Sequence, residues 1–376
     1  MDYTNHNDAN NHPLNPWRLI GDPLSDSIIT NIVRHNEGHR LHEIIFGLIR
    51  EIKTPDRITN NLHVPIRESI IEFLEETRNL PLWVDPELIR KGEKFYSKYN
   101  MEICFLLTFK SLPLCYVCSN GAKALYITGK MSPSTDSKSI ISRRLKETMM
   151  MIHKSFSPDG LSIEGEGLEY IRKSRLIHAL NRYYLKNKKL NSEKWDTSSY
   201  GLPLNQQDMA GTLMSFSPIV LKGFDQLKIS LTEEEKEAYT HYWRVIGHLL
   251  GIVPELVPDN HEKSWELAIN IIKHQGAASI HGQELTNKWI QYINSMYFGN
   301  LSNSTPSSII SHFTDDVSKA SNLNISTILG IRDSKNLKDK MIIQFMTRVF
   351  RLQHKILPEG LIEFKNKTIQ NNYLYA

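Results

Sequence analysis

Two short runs carry residues whose types and spacing could do chemistry. In "EYIRKSRLIHALNRYYL", Arg175, His178 and Arg182 follow one another at steps of three and four. That spacing puts all three on one face of an α-helix that is otherwise rich in Leu, Ile and Tyr. In "RRLKETMMMIHKSF", Arg144, Glu147 and Thr148 share a face in the same way, and the methionines after them predict a largely buried helix. Charges drawn into an apolar interior are costly unless something pairs with them. An anionic, largely apolar ligand would do so, and haem has that character. Its carboxylates need cations, its macrocycle needs an apolar slot, and its iron takes a neutral histidine. With no C-x-x-C-H run in the chain, such a haem would be non-covalent b-type. A purely structural charge network is the competing explanation.

Other runs point less clearly to chemistry. "RHNEGHRLHE" offers His35, His39 and His42 with Glu37 and Glu43 at spacings that could hold a metal, but Gly38 interrupts the helix and Arg40 sits among the ligands. A polar helix start explains the run as well. His241, Arg244 and His248 lie on the apolar helix "HYWRVIGHLLGIVPELVP", where a core histidine is ordinarily just hydrogen-bonded. Cys115 and Cys118 form "CYVC" with no second pair to complete a zinc site, so these thiols and Cys104 read as structural.

The elements that must position these groups are helical. "HRLHEIIFGLIREI" places Leu41, Ile44, Ile45, Leu48 and Ile52 on one stripe, and "VPIRESIIEFLEET" repeats the pattern after Pro65. Thr232 with Glu235 predicts a capping box, and Asp208 sits early in its helix, where the positive end favours it. "SPDG" with Gly165 and Gly167 separates the two runs of the opening paragraph by a turn. "ALYIT" is the one strand candidate, and "SNSTPSS" at 302–308 reads as a linker. The fold class is therefore all-α.

With 45 basic against 41 acidic residues in 376, the net charge of +4 is too mild and too dispersed for a nucleic-acid surface. Its basic excess is clearest after Ile331, in "RDSKNLKDK" and "TRVFRLQHK", which read as solvated faces of terminal helices. Three cysteines make no disulfide framework, no secretory leader is visible, and no apolar run approaches the roughly 18 residues of a membrane span. A cytoplasmic protein without an integral membrane segment is the expectation.

From about Trp83 to Ile272 the chain resembles the catalytic domain shared by bacterial rubber oxygenases (latex-clearing proteins) and fungal MpaB-type oxygenases. The runs that carry the resemblance are "SLPLCY" at 111–116, "TGKM" at 128–131 and "RRLKET" at 143–148. They continue with "RLIHALNR" at 175–182, "YGLPLNQQDMAGTLMSFS" at 200–217 and "YWRVIGHLLGIVPELVP" at 242–258. The resemblance implies a globin-like helical core around haem b. His178 would be the proximal iron ligand, Arg175 and Arg182 would lie beside the haem carboxylates, and Arg144 and Thr148 would match a distal arginine and threonine. Where the rubber oxygenases place a distal lysine, this chain has Glu147, with Lys146 turned about 100° away. A glutamate upstream of that helix also has no counterpart, since Asp136 is the one acidic residue between Lys110 and Ser142.

The resulting expectation is a globin-like all-α bundle enclosing a haem pocket, with extra N- and C-terminal helices. An N-terminal extension would span 1–80, the catalytic domain 81–300, and a C-terminal helical segment 301–376. The expected function is a haem-dependent oxygenase that activates O2 to oxidise or cleave an apolar, isoprenoid-like alkene. Arg144, Glu147 and Thr148 are its catalytic candidates, with Glu147 a buried carboxyl tuned for proton transfer. Arg175, His178, Arg182 and Arg244 are its cofactor-binding candidates, and His178 its iron ligand. The alternatives are a haem-binding or redox-sensing protein without oxygenase turnover, and a helical interaction protein without a cofactor.

Overall fold

The computed structural model describes residues 12–130, 137–187, 195–297, 304–331 and 337–356. Among them the regular elements are helices, joined by an isolated bridge between Cys118 and Gly276. An N-terminal group comprises α1 (Pro23–Arg34), α2 (Leu41–Arg50), the short α3 (Asp56–Thr59) and α4 (Val64–Glu76). The central elements are α5 (Pro86–Leu106), α6 (Leu112–Val117), α7 (Ser119–Lys130), α8 (Ser137–Ser155) and α9 (Glu166–Lys186). The short α10 (Thr197–Tyr200) precedes α11 (Gln206–Phe216), α12 (Pro218–Leu227), α13 (Glu233–Leu249) and α14 (His261–Gln275). Beyond them come α15 (Ile280–Tyr297), α16 (Ser304–Ser321), α17 (Ile325–Ile328) and α18 (Leu337–Ile356).

Local chemistry accounts for where several of these helices begin. Thr232 Oγ1 accepts from the Glu235 amide while the Thr232 amide donates to Glu235 Oε2, so the expected capping box opens α13. Asp85 caps α5 by accepting from the Glu87 amide at 2.7 Å, with Pro86 at the first helical position. Leu41, Ile44, Ile45, Leu48 and Ile52 are all buried, as their spacing predicts.

Three apolar clusters form, and α9 belongs to each of them. Leu168 and Ile171 join the main core built around α5, α11, α13 and α14. Leu176, Ala179 and Leu180 pack with Ile28, Ile45, Ile70 and Phe73 of the N-terminal helices. Leu185 packs with Ala124, Ile127 and Trp195. The helix that carries His178 is thus the shared spine of the molecule.

Helices α8 and α9 form a tight hairpin. A Cβ on Gly167 would lie 2.4 Å from Ser155 Cα, so only glycine permits the two chains to pass this closely. Ser174 Oγ reaches Met151 Sδ at 3.6 Å. Four residues back from Met151 and four on from Ser174, a shift of about 6 Å along each axis, Glu147 stands level with His178.

Two expectations are corrected. "ALYIT" lies within α7: Leu125 is exposed while Ala124 and Ile127, three apart, are buried, a helical and not an alternating pattern. The run at 302–308 does not end in a linker, because Ser304 to Ser308 form the first turns of α16, with Thr305 and Ser308 buried against Asp339 of α18.

Candidate functional site

The arginines of α9 are buried, but their partners are protein carboxylates and carbonyls. Arg175 donates through Nε to Asp22 Oδ2 at 2.5 Å and through Nη2 to Asp22 Oδ1 at 2.8 Å, a bidentate pair, and through Nη1 to the Leu249 carbonyl. Arg182 Nε donates to both oxygens of Asp26 at 2.8 and 3.0 Å, and its Nη atoms reach the Leu204 carbonyl and Ser25 Oγ. Arg172 is held by Thr77 Oγ1 and by the carbonyls of Leu74 and Thr77. In this structure Arg175 and Arg182 clamp α9 to α1, and Arg172 clamps it to the end of α4. Burial pushes the Asp22 carboxyl up, but the Arg175 hydrogen bonds and charge outweigh it and leave Asp22 below its usual range. In the more open Asp26, burial wins over Arg182 and the carboxyl lies above its usual range.

His178 sits between these two clamps with no such partner. Its Nδ1 is buried and makes no hydrogen bond among the described residues, although the ring as a whole is partly exposed. Burial, reinforced by the positive charge of Arg182, lowers its pKa to about 4. The imidazole is therefore neutral at ordinary pH. A buried nitrogen left without a partner is unusual in a folded chain and leaves the ring able to accept a further partner.

Across the hairpin, Arg144 donates to the Leu125 carbonyl at 3.0 Å and to Thr128 Oγ1 at 2.8 Å, which ties α8 to α7. Burial lowers its pKa from the usual arginine value. Thr148 is half-buried beside it. Glu147 is not: its side chain is 68% exposed and lies 3.8 Å from Arg143. The expected buried Arg144–Glu147 pair is thus corrected, because the helix turns Glu147 outward and Arg143, not Arg144, is its neighbour. Glu147 lines an open groove of about 390 Å³ with Ser142, Arg143, Lys146, Met150 and Tyr170.

The remaining candidates are placed elsewhere. Arg244 stacks on Trp83, its guanidinium carbon 4.1 Å from the ring centroid, in a cluster that also holds His241 and His248. His241 Nε2 accepts from the Asp85 amide at 3.0 Å, the ordinary arrangement of a core histidine. His35 and His39 each donate through Nδ1 to a backbone carbonyl of the preceding turn, and His42 stacks on Phe46, so the three do not converge on a metal. Cys115, Cys118 and Cys104 are free thiols, and burial raises the pKa of each, that of Cys104 to about 12, which suits unreactive core residues.

The model of a family described as "ER-bound oxygenase mpaB/B'/Rubber oxygenase, catalytic domain" matches residues 118–311. The chain belongs to this family. A rubber oxygenase from Streptomyces sp. (strain K30) is 25% identical over 199 residues, which is 52% of this chain and 45% of that enzyme. The match therefore spans less than half the length of that relative. A solved structure, that of latex clearing protein LCP in the closed state, aligns with a TM-score of 0.69 over 96% of this chain and 91% of that one, at 16% identity. That likeness is one of fold. The family match begins later than Trp83 and runs beyond Ile272 into α16, through the run first read as a linker.

Within this oxygenase family member, the donor set around His178 fits a haem in one respect and not in another. A neutral imidazole with an unpartnered nitrogen, on a helix flanked by Leu176, Ala179 and Leu180, is a suitable iron ligand. The cations beside it are already neutralised by Asp22 and Asp26. Those carboxylates were missed from sequence because 153 and 156 residues separate them from the arginines they meet. Gln206 was missed likewise. It donates to the carbonyls of Gly21 and Gly251 and accepts from the Val253 amide, joining the segment before α1 to the turn after α13.

Proposed function

We propose that this chain is a haem b-dependent oxygenase that oxidises or cleaves an apolar alkene, with His178 as the iron ligand. The observation that carries the proposal is the buried, partnerless Nδ1 of a neutral imidazole on α9. Family membership supplies the oxygenase class. When bound, haem would supply the iron that activates O2.

The protein's own residues would supply position. Arg175 and Arg182 hold α9 against α1, which fixes the level and rotation of His178. Arg144 and half-buried Thr148 would hydrogen-bond a ligand on the α8 side, and for this Arg144 would have to share or release its donors from the Leu125 carbonyl and Thr128. Glu147, on the outer face, is suited to meeting solvent or the rim of the substrate path. A proton-transfer role would require it to turn inward.

A visible spectrum of the purified chain, before and after addition of hemin, tests the ligand. A Soret band with one haem per chain is expected, lost or shifted in His178→Ala; an unchanged band in that variant would remove the assignment. O2 uptake with squalene or a lipid extract tests the reaction. The outward turn of Glu147 favours a second reading, a haem-binding or redox-sensing protein without turnover. A haem-loaded chain that consumes no O2 with any alkene would establish it.

A further inference from the structure

The last described helix, α18, has an apolar stripe that no other described residue covers. Leu337, Met341, Phe345, Val349 and Leu352 follow at helical spacing and are 74, 61, 68, 45 and 38% exposed. The opposite face is fixed in place. Asp339 is buried and accepts from Thr305 Oγ1 and Ser308 Oγ at 2.9 and 2.8 Å, and Phe350 packs on Phe105 at a centroid distance of 5.1 Å. The stripe is therefore held outward by an anchored helix, not exposed by fraying.

The charges beside it are as one-sided as the stripe. Lys338, Lys340 and Arg348 are exposed, Arg351 is part-buried, and the one acid of the helix, Asp339, is buried. None of the four cations has an acidic partner among the described residues, and Arg351 Nε is buried without any hydrogen-bond partner. Elsewhere on the surface paired lysines are common, as in Lys98–Glu235, Lys263–Asp259, Lys288–Glu284 and Lys319–Asp315. A helix with an apolar stripe and an unpaired cationic rim has the character of one that lies in the plane of an anionic lipid surface. A second copy of the chain suits the face poorly, because two such rims would meet like charge to like charge. No helix among the described residues is long and apolar enough to cross a membrane.

We propose that α18 docks this protein peripherally on anionic phospholipid bilayers, with Leu337, Met341, Phe345, Val349 and Leu352 entering the interface and the exposed cations Lys338, Lys340 and Arg348 meeting lipid phosphates. The proposal is independent of the haem reading, since it involves neither His178 nor its neighbours.

The test is flotation of the full chain with phosphatidylcholine vesicles, with and without one-third phosphatidylglycerol, at low and high salt. Binding is expected to the anionic vesicles and to weaken as salt rises. The double variant Met341→Glu/Phe345→Glu, at exposed positions where the fold has little at stake, should bind at least tenfold more weakly with an unchanged melting temperature. Neutralising Lys338, Lys340 and Arg348 to Gln should weaken binding by about fivefold per charge. No flotation, or equal flotation of the double variant, overturns the proposal. So does a dimer of the free chain that Met341→Glu/Phe345→Glu dissociates, or binding that appears only once residues 357–376 are removed.

Discussion

Replacing Arg175 by Met separates two explanations of the buried arginines. The guanidinium meets Asp22 through two hydrogen bonds, with Asp22 1% and Arg175 7% exposed. Removing one member leaves the other charged and desolvated, so Arg175→Met and Asp22→Leu should each cost ~3–5 kcal/mol of stability. Removing both takes away the uncompensated charge with its partner, and the double variant should cost only about 1–2 kcal/mol. The coupling in the double-mutant cycle is then at least ~4 kcal/mol, well above what independent sites show. Urea denaturation of the haem-free chain near neutral pH measures all three variants. The Asp22 carboxyl lies below its ordinary value of 3.8, so its stabilising contribution is present above that pH and is lost as pH falls through the folded value. The cost of Asp22→Leu should accordingly shrink in acid. Single variants that cost under ~1 kcal/mol and add in the double would refute the clamp. An Arg175→Met chain of unchanged stability but weakened hemin affinity would return the arginine to the cofactor.

Other expected outcomes follow from the same geometry. The folded pKa of His178, about 4 against the usual 6.5, means that the unfolded chain takes up the proton first. Its contribution is complete above about 6.5 and falls away as pH drops towards 4, so denaturation midpoints of the native chain should fall more steeply over that window than those of His178→Leu, by up to ~2–3 kcal/mol. Gly251→Ala would put a methyl within 2.7 Å of the Arg175 guanidinium at a φ of +81°, and should lower stability by ~1–3 kcal/mol in the same assay. Glu147→Gln should change stability by less than ~0.5 kcal/mol and leave the hemin spectrum intact, because the side chain is exposed and its ion pair is a surface one. Lys110→Met tests the π-type turn at Leu107–Ser111. The lysine is wholly buried on Asp316 and Gln226, and its loss should cost ~3 kcal/mol or more, read as a fall in urea midpoint, with Asp316→Leu partly rescuing it.

The helical class was legible in the chain because helix formation is largely local. The stripe from Leu41 to Ile52, the Thr232–Glu235 box and the glycine-bearing turn between α8 and α9 each depend on residues within one or two turns of each other. The family was legible from ordered short runs along the chain, and the comparisons bear it out at 25% identity to a rubber oxygenase. "ALYIT" was misread because its residues suit a strand, and only packing of Ala124 and Ile127 on Leu185 and Trp195 selects the helix. The polar run at 302–308 was misread because Thr305 and Ser308 become buried only by bonding Asp339, more than thirty residues on.

By itself, then, the order of residues determined that the chain is helical, that Arg175, His178 and Arg182 share one face, and that the charges on that face need partners. Tertiary structure alone decided which partners. Helical periodicity assigns a direction to a side chain but not what it meets, and the clamp between α9 and α1 joins groups more than 150 residues apart. The same limit explains Glu147, whose spacing from Arg144 permitted an inward pair. Packing of α8 on α7 and α9 took Arg144 to Leu125 and Thr128 and left the carboxylate outside.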